Sequence, residues 1–179
     1  MKNTLSSLVP VVALGLALPA QAEVKDTRED GFTIETTVMA EASPAVVYNQ
    51  LVKVASWWDP KHTWSGSARN LKLEPKAGGC FCEKLADGGS VQHARVIFAL
   101  PGKLLRLEGG LGPMQDMAVT GILSFTLAPD GKGTRIRMTY RVAGMLGMPA
   151  AQLAPGVDQV MGIQLERLKT FVSGAPVGP

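Results

Sequence analysis

The chain has 179 residues, with 18 Lys and Arg against 15 Asp and Glu, for a formal net charge of +3 at pH 7. That length suits one domain with a sizeable core. The charge is too small for a nucleic-acid binder unless its basic residues cluster. The nearest cluster, Arg135, Arg137 and Arg141, has strand spacing and reads as a solvated outer face, so no nucleic-acid partner is expected.

The first segment reads as a targeting signal. Lys2 precedes an apolar run from Leu5 to Leu18, interrupted by Ser6, Ser7, Pro10 and Gly15, and Pro19 leads into Ala20-Gln21-Ala22. Charge, apolar core and small residues in that order mark a secretory signal. The run is shorter than the roughly 20 apolar residues of a membrane span. Cleavage after Ala22 is expected, giving a periplasmic or secreted protein with no stable membrane insertion afterwards. Residues 23–172 then read as one domain, and the Pro/Gly-rich residues 173–179 as a flexible tail.

Phe32, Ile34, Thr36 and Val38 alternate with Thr33, Glu35 and Thr37 in a first strand. Ser43-Pro44 starts a helix, because Ser caps free N–H groups and Pro fits the first turn. A short second helical turn covers Val54 to Trp58 and ends at Asp59-Pro60. Trp57, Trp58, His62 and Trp64 follow as the one aromatic-rich stretch, either a lid over a pocket or a satellite cluster pinning a loop. His62 itself reads as a solvent-exposed loop residue.

Leu71 and Leu73 fall in a strand ended by Pro75, and Gly78-Gly79 opens another through Phe81 to Leu85. Asp87-Gly88 signals a hairpin turn, since both central residues of a type I′ turn need positive φ. The partner strand runs from Ser90 to Ala99. Leu104 to Leu107 forms a short strand, closed by Gly109-Gly110 and Gly112-Pro113. Val119 to Leu127 and Ile136 to Val142 form the clearest hairpin, joined at Pro129-Asp130-Gly131. Val157, Met161, Leu165, Leu168 and Val172 make the apolar stripe of a closing helix, beside a polar stripe of Asp158, Gly162, Glu166 and Lys169. Asp158 falls in its first turn, where it suits the helix dipole.

This order of elements, with Gly78-Gly79-Cys80-Phe81-Cys82-Glu83 opening a central strand, resembles the START and birch-pollen-allergen helix-grip superfamily (SRPBCC) over about residues 31 to 172. Within it the chain is most similar to the polyketide-cyclase-like and chaperone-activator-like branches. The resemblance implies an α+β helix-grip fold: a curved antiparallel sheet of about seven strands round a long C-terminal helix, with two short helices between strands 1 and 2. It also implies an apolar small molecule or lipid held between sheet and helix.

The composition is compatible with such a pocket. Aromatics are 6% of the chain, so few large side chains are available to fill a curved sheet. Met114, Met117, Met138, Met145 and Met161 offer a pliable apolar surface, or alternatively complete a solid core. The expected lining comprises Phe81, Phe98, Leu123, Phe125, Met138 and Tyr140 from the sheet, Met161 and Leu165 from the helix, and Trp58 from the loop.

For chemistry the candidates are Glu83, His93 and Tyr140. A buried Glu83 would have a raised pKa suited to proton transfer, unless an Arg pairs with it. A two-residue turn at Asp87-Gly88 sets Lys84 opposite Val91, Cys82 opposite His93 and Cys80 opposite Arg95. Cys80, Cys82 and His93 would then share a face, as a redox pair or soft-metal site, with inert strand residues as the alternative. A one-residue slip would move His93 to the other face. No phosphate-binding glycine loop, paired-His zinc motif or nucleophile elbow is present. The expectation is a site without a cofactor, in a binding protein or a cyclase or isomerase. The sequence does not set the oligomeric state.

Overall fold

The computed structural model describes residues 23–178. Residues 1–22, where a secretory signal is expected, lie outside the described residues. Strands β1 (Glu23–Arg28) and β2 (Gly31–Ala40) are followed by helices α1 (Pro44–Leu51) and α2 (Val54–Trp57). Next come β3 (Leu71–Leu73), β4 (Cys80–Lys84), β5 (Ser90–Leu100), β6 (Leu104–Glu108), β7 (Ala118–Asp130), β8 (Gly133–Met145) and helix α3 (Ala150–Val172). All eight strands form one antiparallel sheet in the order β1-β2-β8-β7-β6-β5-β4-β3. The strand beyond the expected seven is β1, an edge strand whose charged sequence carries no alternation to announce it.

Local chemistry sets most boundaries. Ser43 Oγ accepts from Val46 N–H at the start of α1, with Pro44 in the first turn. Along β8, Ile136, Met138, Tyr140 and Val142 are buried while Arg135, Arg137 and Arg141 are exposed. Arg135 pairs with Asp130 and Arg137 with Glu35, which confirms the solvated outer face.

Helix α3 begins at Ala150 and carries Pro155 within it, so Asp158 lies well inside the helix rather than in its first turn. A single proline removes only one helical hydrogen bond, and the helix continues through it. The helix packs on β2 and β1, with α1 and α2 beside it. Its C-terminal half closes a solid core, where Leu165 and Leu168 have no exposed surface. Each such side chain stabilises the fold by about 2 kcal/mol. The N-terminal half of α3 instead stands off the sheet, and the space beneath it is the site. Among the described residues no helix is long and apolar enough to cross a membrane.

Candidate functional site

The register of β4 and β5 decides what faces this space. Cys80 pairs with Arg95 and Phe81 with Ala94, as a simple hairpin requires, but Cys82 pairs with Gln92 and Lys84 with Ser90. His93 is thus an extra residue in β5, the two-against-one arrangement of a β-bulge. Asp87 and Gly88 both have positive φ, in keeping with the Asp-Gly turn, and the turn closes through Gly89 N–H to Ala86 C=O. An extra Leu85 beside the turn offsets the bulge. The bulge buries His93 and Ala94 together, beside Phe81 and Glu83 and away from the cysteines. The expected Cys80/Cys82/His93 cluster therefore does not form. Among the described residues no group of three or more metal-ligating side chains occurs.

Cys80 and Cys82 are joined to each other as a disulfide, with Cα atoms 5.4 Å apart. Its ring encloses a single intervening residue, so chain entropy supplies at most about 1.5 kcal/mol. Reduction is expected to lower Tm by about 5 °C, read by circular dichroism with and without a phosphine reductant. A drop of more than about 10 °C would mean that the disulfide props up the bulge itself.

Glu83 has 1% exposure. Its Oε1 accepts from Ser65 N–H at 2.5 Å, and its Oε2 from Trp64 N–H at 3.1 Å. His93 Nε2 lies 2.8 Å from Oε2. Burial pushes this carboxyl up, but the hydrogen bonds from Ser65, Trp64 and His93 outweigh it and hold it below the ordinary glutamate range. The expected raised pKa is thus corrected, because the partners are backbone N–H groups and an imidazole instead of an Arg. Burial pushes His93 down, against the opposing pull of Glu83, and the ring is neutral near pH 7.

Tyr140 has a different role from the expected one. Its hydroxyl donates to Gly109 C=O at 2.8 Å and accepts from Leu111 N–H at 3.0 Å. Burial drives its pKa well above the usual tyrosine range, with the Leu111 bond a smaller opposing effect. Both polar positions are engaged in holding the β6–β7 connection, so Tyr140 is a structural residue and not an acid or base.

The space under α3 is a cavity of about 530 Å³. Trp58, Phe81 and His93 form a ladder along one wall, with ring centroids 5.3 and 5.1 Å apart. Leu111 to Met114, in the β6–β7 connection, and Leu153, Val157, Val160 and Met161, on α3, complete it. Trp64 and Met148, at 54% and 46% exposure, are the exposed large apolar side chains among its liners and mark the rim. Of the expected lining, Trp58, Phe81 and Met161 are here. Leu123, Phe125, Met138, Tyr140 and Leu165 are buried in the packed core instead. Met145 lies out on the surface at 77% exposure. Phe98 is 44% exposed, because a second irregularity between Val96 and Phe98 breaks the alternation that would have turned it inward.

Gln164 was not legible as a site residue, and His62 was legible only as part of the aromatic stretch read as either a lid or a satellite cluster. His62 lines the cavity, and the fully buried Gln164 reaches across from α3 to bond both Asp59 N–H and the His62 ring. A glutamine within the apolar stripe, three residues after Met161 and four before Leu168, is the one signal that pointed to Gln164. The tryptophans divide by role. Trp57 is core and donates to Leu51 C=O, while Trp58 donates to His62 C=O and shapes the cavity.

No family model matches the chain, and no curated protein does. Solved structures do. A protein of Rhizobium leguminosarum has a TM-score of 0.61 and 18% identity, over 87% of this chain and 98% of that one. The chain has the helix-grip fold. CalU16 from Micromonospora echinospora gives a TM-score of 0.55 at 16% identity, covering 89% of this helix-grip chain and 87% of its own. DynU16, a protein of the dynemicin biosynthetic locus, gives 0.56 at 17% identity over 82% of this chain and 49% of its own. At these identities the likeness is one of fold.

Proposed function

We propose that this chain is an exported binding protein for an apolar small molecule, held in the cavity between the sheet and the first half of α3. The observation that carries this reading is the cavity itself. Its volume falls within the range of about 300–1,000 Å³ for small-molecule sites, and its wall is mainly aromatic, aliphatic and Met side chains with a few polar groups. The disulfide supports export, because such bonds persist in oxidising compartments. The origin of DynU16 in a biosynthetic locus favours a small-molecule role in the manner of the polyketide-cyclase-like branch over a chaperone contact.

Gly156 provides the test. It lines the cavity from α3, and a Cβ there would meet nothing within 4 Å. Gly156→Phe is expected to abolish binding of N-phenyl-1-naphthylamine, an uncharged apolar fluorophore, while raising stability by about 0.5 kcal/mol through better helix propensity. Equal fluorescence enhancement in wild type and variant would place the ligand elsewhere. Export is checked by N-terminal sequencing of periplasmic protein, expected to start at Glu23. An intact Met1 in the cytosolic fraction would refute it.

One observation favours a second reading, a cyclase or isomerase acting in the same cavity. His93 lines the wall with the ionised Glu83 bonded behind it, the arrangement of a general base and its orienting carboxylate.

A further inference from the structure

Two imidazoles interrupt the apolar cavity wall, and the protein fixes the proton on each from behind. Gln164 Oε1 accepts from Asp59 N–H at 2.8 Å. That oxygen can only accept, so the amide orientation is settled and its NH₂ group meets His62 Nδ1 at 2.9 Å. An amide N–H donates, so His62 Nδ1 carries a lone pair and the neutral ring keeps its hydrogen on Nε2. Asp59 Oδ2, at 4.0 Å from Nδ1, is beyond hydrogen-bond range and does not reverse this.

The opposite end of the ring is engaged in His93. The Glu83 carboxylate already receives two backbone N–H groups and presents only lone pairs, so His93 Nε2–H is the donor in their 2.8 Å contact. The neutral His93 ring has its lone pair on Nδ1. Both rings are Nε2–H tautomers, yet the nitrogens left for a ligand differ. His62 retains a donor and His93 an acceptor, and both residues line the same cavity.

We propose that the cavity selects apolar molecules bearing both a carbonyl and a hydroxyl group, the carbonyl oxygen accepting from His62 Nε2–H and the hydroxyl donating to His93 Nδ1. This rests on the reading of the cavity as a small-molecule site and adds what the molecule must carry. A plain hydrocarbon leaves both nitrogens without a partner, which buried polar groups tolerate poorly. A carboxylate at His93 would meet a lone pair backed by a buried negative charge, and an ammonium group would lose its hydration in an apolar chamber.

The test uses four probes on one ring system: naphthalene, 2-naphthol, 2-acetylnaphthalene and 6-acetyl-2-naphthol. Calorimetric titration is expected to show that the hydroxyl and the acetyl group each tighten binding by about 3- to 10-fold. The hydroxyl gain should vanish in His93→Phe and survive in His62→Phe, and the acetyl gain should do the reverse. His93→Phe also deprives Glu83 of a donor, so a measurement on the unaltered protein stands beside it. Heteronuclear NMR of the imidazole nitrogens should find Nδ1 unprotonated on both rings. Binding of 2-naphthol should shift His93 Nδ1 and leave His62 Nδ1 in place. If all four probes bind equally, or either Nδ1 is protonated, this inference is overturned while the cavity reading stands. If none binds, the cavity reading falls and takes the inference with it.

Discussion

Gly121→Ala is expected to destabilise the protein by about 4 kcal/mol, combining overpacking with two broken hydrogen bonds. A Cβ at Gly121 would stand 2.6 Å from Tyr140 Cζ and closer still to Cε2 and Oη. The contact is with a rigid ring that has no exposed surface, so no flexible tip can move aside. Relief requires the ring to shift, and the shift detaches the hydroxyl from Gly109 and Leu111. Leu111 begins the segment that forms one wall of the cavity. The substitution should therefore weaken ligand binding as well as fold stability, although Gly121 does not line the cavity. Denaturant melts and calorimetry on the same preparation measure both. Tyr140→Phe separates the causes, since it loses the tie to Leu111 N–H without overpacking, at about 1–3 kcal/mol. If Gly121→Ala costs less than Tyr140→Phe, the ring has room that this structure does not show.

The parts of the fold that were legible in sequence are those set by neighbours along the chain. Alternation along β2, β7 and β8, the Ser43 cap and the Asp87-Gly88 turn each depend on a few consecutive residues. The site depends on pairings that are not local. The bulge at His93 is a one-residue event in how β5 pairs with β4, and the irregularity before Phe98 is one in how β5 pairs with β6. A reading that assumes an unbroken ladder puts His93 with the cysteines and Phe98 indoors. Glu83 was legible as a buried residue, since it shares strand parity with Phe81. Its partners Trp64 and Ser65 lie in an irregular loop, 19 and 18 residues back, where no periodicity announces an exposed N–H. Gln164 reaches across more than 100 residues to Asp59 and His62. The expectation of unfilled space beneath the helix holds for the first half of α3 and fails for the second. Helix periodicity shows which side chains turn inward, but not how far the sheet stands from them.

Glu83→Gln is expected to cost about 3 kcal/mol and to alter how stability depends on acid. The carboxylate oxygens face three N–H donors, two from the backbone and one from His93. An amide has one oxygen. Whichever way it turns, its NH₂ group meets a backbone N–H at a side chain with almost no exposed surface. His93 can change tautomer to accommodate an NH₂, but the backbone of Trp64 and Ser65 cannot. The wild-type protein should lose stability with acid in two stages. The folded His93 pKa lies below its unfolded value of about 6.5, so its contribution is complete above that pH and is lost as pH falls toward the folded pKa. The folded Glu83 pKa also lies below its unfolded value of about 4.3, so its contribution is present above that pH and lost as pH falls through the folded pKa. Gln has no proton to gain, so the variant should lack the lower stage. Urea melts between pH 3 and 8 would resolve both stages, and a variant that tracks the wild-type curve at a constant offset would remove Glu83 from its assigned role as the ionised anchor of the site.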